Sequence, residues 1–296
     1  MFLGNQNISS LGTFGRAHNF AAFHQVHQAS CLSKAHTELA LQHRGRTKLS
    51  RDNKLYGLPF QCSTPVLYYN KAAFEKAGLK AAPTNWTELE AAARALAVRQ
   101  GDTVSQWGLT IGGGWHDWIF ESFVRQNGLV FWTKDKVAFD APESVHALEF
   151  WQRMAQARLM PAASTWESSA NDFMAGRTAM LYHSTGSMTN ILKSASFPVG
   201  VAPMPKGKQL GSTMGGGPIL IAKKQPDAHK RAAWTFARWM TNTANQAQWC
   251  VDTGYLAARK SSWETPVLKA HVAKQPEART AFVTAEVAGA FLQVPG

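Results

Sequence analysis

Three small polar or glycine-rich turns and one tryptophan are the parts of this sequence that could bind a small solute. Ser63 precedes an apolar run, and His183–Ser187 (His-Ser-Thr-Gly-Ser) ends another apolar run. Gly215–Gly217 has no side chains, so a ligand could approach its backbone closely. Trp115 follows a second glycine triplet and offers a flat apolar face. These groups suit a ligand with hydroxyls, a carbon–hydrogen face and an anion, since backbone N–H groups at a helix start can hold an anion.

Each of these features also has a purely structural explanation. Serine-rich turns commonly begin helices, glycine runs commonly form loops, and tryptophans are commonly core residues. Two catalytic alternatives, His183 beside Ser184 and the pair His116-Asp117, are weaker still. Adjacency in sequence does not make a nucleophile and its base, and the G-x-S-x-G motif of hydrolases is absent. We therefore expect no catalytic residue.

The histidines and cysteines do not form a metal-binding pattern. Five of the 10 histidines lie within residues 1–48 at irregular spacings, with no cysteine or acidic cluster beside them. Cys31, Cys62 and Cys250 form no C-x-x-C pair, and their odd number leaves at least one thiol free. We therefore expect no metal and no cofactor.

The composition is that of a folded protein with an excess of basic residues. The chain has 296 residues, is 45% hydrophobic and 17% charged, and has a formal net charge of +12. No apolar run reaches the roughly 18 residues that span a bilayer. The basic residues are scattered and no nucleic-acid-binding motif is present, so we expect no nucleic-acid partner. A basic surface also suits a receptor for anionic solutes, through long-range steering.

Strand-like and helix-like segments alternate along the chain, which indicates an α/β fold of layered sheet and helices. The stretch Gly57–Leu79 illustrates the alternation. It is predicted to be a loop as far as Ser63, then a buried strand over Pro65–Tyr69 and a helix over Lys71–Ala77.

Two longer helices are predicted downstream. Apolar residues recur with helical spacing over Asp227–Met240. Pro142 suits the first turn of a helix over Pro142–Gln156. We expect Val145, Leu148 and Trp151 to form the buried side of this second helix.

Five stretches of the chain carry a resemblance to a known family. They are GLPFQCSTPVLYYNKAAFEKAGL (57–79), AAPTNWTELEAAA (81–93), FMAGRTAMLYHSTGSM (173–188), GGGPILIAKK (215–224) and QWCVDTGYL (248–256). The chain resembles the bacterial extracellular solute-binding proteins, which are the ligand-capturing subunits of ABC importers. It is most similar to the members that bind sn-glycerol-3-phosphate, over residues 49–296.

The resemblance implies an α/β, periplasmic-binding-protein-like fold with two lobes around a cleft. Residues 49–64 and 217–254 are expected to be the remnant of a first lobe that is mostly missing. Residues 65–216 and 255–296 are expected to form a largely complete second lobe. Residues 1–48 do not match the family pattern and are expected to be disordered. The resemblance also implies a periplasmic location, although no signal peptide is visible at the N-terminus.

The resemblance assigns five residues to the ligand: Ser63, Trp115, Ser184, Gly216 and Tyr255. In the family, a first-lobe tyrosine and glutamate and an arginine near the C-terminus also contact the ligand, and none has a counterpart here. Charged hydrogen bonds to phosphate are worth about 1.5–3 kcal/mol each. Binding of sn-glycerol-3-phosphate is therefore expected to be poor or absent.

The implied function is that of the substrate-binding subunit of an ABC importer for sn-glycerol-3-phosphate or glycerophosphodiesters, impaired by the missing segments. The expected partners are a small polyol phosphate and the membrane permease subunits of the importer, and the chain is expected to be a monomer. Two alternatives stay open: a sugar or oligosaccharide receptor of the same family, and a non-functional gene fragment.

Overall fold

The computed structural model describes residues 50–290, except 52, 53, 56, 131, 134 and 135. Residues 1–48, which the sequence predicts to be disordered, lie outside the described residues. Within the described part, strands and helices alternate along the chain, so the predicted α/β class is confirmed.

The strands are short and are spread along the described chain. They are β1 (Ser50–Arg51), β2 (Lys54–Leu55), β3 (Gly57–Pro59), β4 (Pro65–Asn70), β5 (Val98–Gln100), β6 (Thr103–Gln106), β7 (Thr110–Ile111), β8 (Trp132–Thr133), β9 (Lys136–Val137), β10 (Met180–Ser184), β11 (Val199–Ala202), β12 (Ser212–Met214), β13 (Pro218–Leu220) and β14 (Ala288–Ala290).

The helices fill most of the chain between these strands. They are α1 (Lys71–Lys76), α2 (Trp86–Leu96), α3 (His116–Gln126), α4 (Pro142–Gln156), α5 (Trp166–Met174), α6 (Met188–Ser194), α7 (Asp227–Met240), α8 (Thr243–Thr253), α9 (Lys260–Trp263), α10 (Pro266–Lys274) and α11 (Glu277–Val287), with a 3-10 turn over Thr185–Ser187 before α6.

A four-stranded sheet with the order β11-β4-β10-β7 is the centre of the fold. β4 pairs antiparallel with β10 and β11, whereas β7 lies parallel to β10. Leu67 and Tyr182 pack in a core that α2, α3 and α4 cover. Val66, Tyr68 and Leu181 pack in a second core, with α6 and α11. Because successive strand residues point to opposite faces, the sheet is covered by helices on both sides.

Two helices begin after asparagines whose side chains cap them. The Asn70 side chain accepts a hydrogen bond from the Ala73 N–H (3.0 Å), and the Asn85 side chain accepts one from the Glu88 N–H (2.9 Å). Glu88 completes the second cap by accepting from the Thr84 N–H at 2.8 Å. This reciprocal bond lies one residue before the position that an ordinary capping box uses.

A smaller unit lies beside the central sheet. β3 and β13 pair antiparallel, and α7 covers them with a small core of Leu58, Ile221 and Ala237. The predicted loop before Ser63 is therefore wrong for its first residues, because Gly57–Pro59 becomes a strand where β13 supplies a hydrogen-bonding partner.

The helix α4 has the predicted bounds but a different buried face. Ala147, Phe150 and Met154 are its buried apolar residues, whereas Val145 is 44% exposed and Leu148 is 58% exposed. The prediction of the buried side was wrong for these two residues. The helix carries two apolar stripes, and the one with Phe150 reaches Trp86 and Phe123 in the core. Helical spacing alone does not distinguish the two stripes.

The two stripes of α4 predict unequal effects of truncation. We expect Phe150→Ala to lower the free energy of unfolding by about 3–5 kcal/mol, because it empties a packed site. Leu148→Ala should lower it by no more than about 1 kcal/mol, because that side chain is already largely in water. Urea unfolding followed by circular dichroism measures both, and equal losses would contradict the observed orientation of the helix.

Candidate ligand-binding site

Three segments that are distant in sequence are joined by backbone hydrogen bonds beside the central sheet. The Ser63 N–H donates to the Gly215 carbonyl oxygen (3.1 Å), and the Gly215 N–H donates to the Ser63 carbonyl oxygen (2.7 Å). The Leu256 N–H donates to the Cys62 carbonyl oxygen at 2.7 Å. We call residues 60–64, which lead into β4, the crossover segment. It therefore lies beside both the triple glycine (Gly215–Gly217) and the segment after α8.

The serine-rich turn at the end of β10 is hydrogen-bonded to the crossover segment and to β4. The Thr185 N–H donates to the Thr64 carbonyl oxygen (2.9 Å), and the Tyr68 hydroxyl donates to the Ser184 carbonyl oxygen (2.8 Å). The Gly186 N–H donates to Ser184 Oγ at 3.0 Å. The expectation that this turn presents free N–H groups to an anion is therefore wrong for Thr185 and Gly186, whose amides already have partners within the protein.

A cavity of about 390 Å³ opens where these segments meet. The structure brings all five residues that the sequence assigned to the ligand to its wall: Ser63, Trp115, Ser184, Gly216 and Tyr255. Its remaining lining residues are Gln61, Trp118, Trp166, Gly215 and Gly217. The assigned residues thus share one hollow.

Aromatic side chains form most of the apolar wall. Trp115 is 53% exposed at the start of α3, whereas Trp118 is buried and its indole N–H has no hydrogen-bond partner in the described part of the chain. Tyr255 stacks on Trp249, with ring centroids 6.1 Å apart. Burial raises the pKa of Tyr255, so its phenol stays protonated and can donate a hydrogen bond.

The polar part of the wall is uncharged. Ser63 and Ser184 supply hydroxyls, and Gln61 supplies an amide. None of the described residues that line the cavity carries a formal charge. Such a wall can hydrogen-bond to hydroxyls and to phosphate oxygens, but it offers no ion pair to a strongly charged ligand.

Gly216 is the lining residue whose identity the backbone dictates. Its φ is +111°, and a Cβ built on it would lie 1.5 Å from the Gln61 carbonyl oxygen. Only glycine accepts this conformation together with this contact. The close pairing of the crossover segment with the triple glycine therefore depends on the absence of a side chain.

The sequence interpretation missed two of the three tryptophans in the wall. Trp118 had a usable signal, because residues at i and i+3 of a helix lie on one face and Trp115 was already assigned. Trp166 had no comparable signal, since it begins α5, far from the other assigned residues in sequence.

Neither a metal site nor a membrane span is found in the described residues. No group of three or more His, Cys, Asp or Glu side chains there could hold a metal ion. No helix in that part of the chain has both the length and the hydropathy to cross a bilayer.

Comparison with known proteins places the chain in a family. A sequence model of the bacterial extracellular solute-binding proteins matches residues 10–277. The chain belongs to this family. The match starts before residue 49, where the resemblance read from the sequence begins, and so takes in most of residues 1–48.

Curated relatives of this solute-binding protein include sn-glycerol-3-phosphate-binding periplasmic proteins, UgpB. Those of Salmonella typhimurium and Escherichia coli K12 are each 30% identical, over 248 and 250 residues. The alignments cover 77% and 78% of this chain and 55% of each relative. The chain therefore spans about half the length of the curated relatives it matches.

Solved structures of similar proteins share the fold. UgpB from Mycobacterium tuberculosis, in complex with glycerophosphocholine, is 25% identical with a TM-score of 0.80, covering 92% of this chain and 68% of that one. Maltose-bound MalE3 of T. maritima is 23% identical with a TM-score of 0.76, covering 89% and 69%. These likenesses confirm the predicted periplasmic-binding-protein-like fold.

Substituting glycine in the cavity wall should reveal the close contact there. Gly78 has a φ of +73° with no atom near an added Cβ, so Gly78→Ala tests the backbone strain alone, about 1–2 kcal/mol. We expect Gly216→Ala to lower the free energy of unfolding by about 1–3 kcal/mol more than Gly78→Ala does, because its Cβ overlaps the Gln61 carbonyl. Urea unfolding of both variants makes the comparison, and a Gly216→Ala loss no larger than that of Gly78→Ala would contradict the pairing.

Proposed function

We propose that this solute-binding protein is the ligand-binding component of an ABC importer and that its ligand is a glycerophosphodiester. The observation that carries the proposal is the cavity wall, whose described residues combine aromatic faces, two serine hydroxyls and an amide and include no charged side chain. The aromatic faces suit the carbon side of a glycerol unit, and the hydroxyls and the amide suit its oxygens.

The lack of a charged side chain among the described lining residues favours a phosphodiester of choline over a phosphate monoester. A phosphate monoester carries a charge of about −1.5 to −2 at neutral pH. Burying such a charge without a partner is strongly unfavourable. A choline phosphodiester is neutral overall, because its quaternary ammonium balances the single phosphate charge. Trp115, Trp118, Trp166 and Tyr255 present aromatic faces of the kind that attract quaternary ammonium groups.

The relatives support the same class of ligand. The Salmonella typhimurium and Escherichia coli relatives are named for binding sn-glycerol-3-phosphate, and the Mycobacterium tuberculosis relative was solved with glycerophosphocholine. Both ligands contain a glycerol phosphate. The uncharged wall favours the diester for this chain, in agreement with the poor sn-glycerol-3-phosphate binding expected from the sequence.

A maltose-like oligosaccharide is the second candidate. Stacked aromatic rings and uncharged hydrogen-bonding groups also suit sugar rings. Among the structurally similar proteins are maltose-bound MalE3 and a GacH receptor in complex with acarbose. Since these share less than 25% identity with this chain, they support the fold and leave the choice of ligand to experiment.

The remaining parts of the proposed role follow from the family. We propose that residues 49–64 and 217–254 belong to one lobe and residues 65–216 and 255–296 to the other, with hinge closure around the ligand. The small core of β3, β13 and α7, separate from the cores of the central sheet, supports this division. The proposed partners are membrane permease subunits, the proposed location is the periplasm, and the proposed form is a monomer.

The proposal is for a binding role without catalysis. His183 and Ser184 do not form a hydrogen-bonded pair: His183 Nδ1 is buried without a partner, and Nε2 contacts the Trp166 carbonyl oxygen at 3.3 Å. Burial lowers the pKa of His183 to about 4, so the imidazole is a poor proton acceptor at neutral pH. The arrangement lacks the base that an activated serine requires.

Two equally exposed tryptophans provide a matched test of the cavity. We expect Trp115→Ala to weaken glycerophosphocholine binding at least tenfold, about 1.4 kcal/mol, because it removes one aromatic wall. Trp239, which is 57% exposed on α7, does not line the cavity, so Trp239→Ala should leave the Kd unchanged. Isothermal titration calorimetry measures the Kd of both variants. Equal effects of the two substitutions would contradict the assignment of Trp115 to the binding site.

A comparison of ligands tests the proposed class directly. The unsubstituted chain should bind glycerophosphocholine at least tenfold more tightly than sn-glycerol-3-phosphate, because the described lining residues include no cation for the phosphate monoester. Calorimetry with both ligands and with maltose distinguishes the outcomes. Micromolar affinity for sn-glycerol-3-phosphate would contradict the argument from charge, and binding of maltose alone would select the second candidate.

A further inference from the structure

The side chains of Trp166 and His183 form a close, tilted ring pair at the edge of the cavity. Their ring centroids are 3.6 Å apart with 32° between the ring planes. Trp166 lines the cavity, whereas His183 is only 1% exposed. His183 Nε2 also contacts the Trp166 carbonyl oxygen at 3.3 Å, which the Nε2–H tautomer can satisfy by donating. The imidazole thus contacts both the ring and the backbone of a residue that faces the cavity.

The glycines before α3 leave space for this pair. A Cβ on Gly112 would lie 2.9 Å from His183 Cδ2 and 2.9 Å from Trp166 Cζ3. A Cβ on Gly113 would lie 1.8 Å from the Ser164 carbonyl oxygen. The segment that begins α5 can therefore approach the end of β7 only where side chains are absent, and this approach brings Trp166 to the cavity.

Local hydrogen bonds hold the same segment in place. Ser164 Oγ donates to the Ile111 carbonyl oxygen at 2.7 Å. Thr165 caps α5 by accepting from the Ser168 N–H at 3.1 Å, and Ser168 Oγ accepts from the Thr165 N–H at 2.9 Å. The backbone of Trp166 is thus fixed by its neighbours, and the imidazole contacts its ring.

We propose that His183 is a positioning residue that fixes the Trp166 indole as a wall of the cavity, and that Trp166 thereby contributes to ligand specificity. The role of Trp166 in specificity rests on the proposed function. The positioning of the indole by His183 does not, because it concerns only contacts within the protein. The neutral state of the buried imidazole agrees with this role, since a neutral ring stacks on an indole without introducing an unpaired charge.

Binding measurements test the role in specificity. We expect Trp166→Ala and His183→Ala each to weaken glycerophosphocholine binding at least fivefold, whereas His183→Phe, which keeps a flat ring, stays within about threefold of the unsubstituted chain. The double variant should bind no more weakly than Trp166→Ala, because the two side chains act as a unit. His146→Ala is the matched control, since that imidazole contacts the Trp86 ring (centroids 5.7 Å apart), and neither residue lines the cavity.

A ligand-independent measurement separates the two claims. In protein labelled with 5-fluorotryptophan, the ¹⁹F resonance absent from Trp166→Phe is that of Trp166. It should shift or broaden in His183→Ala and keep its position in His146→Ala. An unchanged resonance in His183→Ala overturns the positioning role, whatever the protein binds. If the unsubstituted chain binds neither glycerophosphocholine nor maltose, the proposed function fails, and the resonance alone decides the positioning role. If it binds and Trp166→Ala leaves the Kd unchanged, the specificity role is overturned.

Discussion

The cavity depends on backbone pairing between segments that are far apart in the sequence. Ser63 and Gly215 exchange two hydrogen bonds, and Cys62 accepts one from Leu256. Each such bond contributes only about 1 kcal/mol net, but leaving a buried backbone group unpaired costs about 1–3 kcal/mol. The junction is therefore hard to open in part. Because Gly216 permits the close approach, the position of the cavity follows from chain conformation as much as from side-chain packing.

The same junction limits the backbone donors that the described part of the site offers to an anion. The Thr185 and Gly186 amides at the end of β10 would be natural anion donors, but they donate instead to Thr64 and Ser184. Joining the turn to the crossover segment uses the Thr185 amide, and the turn itself uses the Gly186 amide. The described lining residues offer aromatic surface, two serine hydroxyls, the Tyr255 phenol and the Gln61 amide. Such a surface suits the proposed glycerophosphodiester through shape, stacking and cation–π attraction.

Local signals in the sequence predicted the helices better than the strands. Asn70 and Asn85 mark helix starts because a capping side chain bonds within three residues, and the bounds Pro142–Gln156 and Asp227–Met240 were predicted correctly. β3, β12 and β14 were missed because each is a three-residue strand defined by a distant partner. A strand of that length has no period of its own to detect, so its existence depends on tertiary structure.

Some residues of the candidate site could also be predicted from the sequence, whereas others depend on tertiary structure. Ser63, Ser184 and Gly216 stand out by residue type within turns, so sequence reasoning could nominate them. Trp166 could not be nominated, because its place in the wall depends on Gly112 and Gly113 admitting the segment that begins α5. A glycine in the sequence shows where a side chain is absent, but it does not predict which distant residue packs there. The contact between the Trp166 ring and the His183 imidazole is likewise set by tertiary structure, and it is the contact on which the proposed positioning of the indole depends.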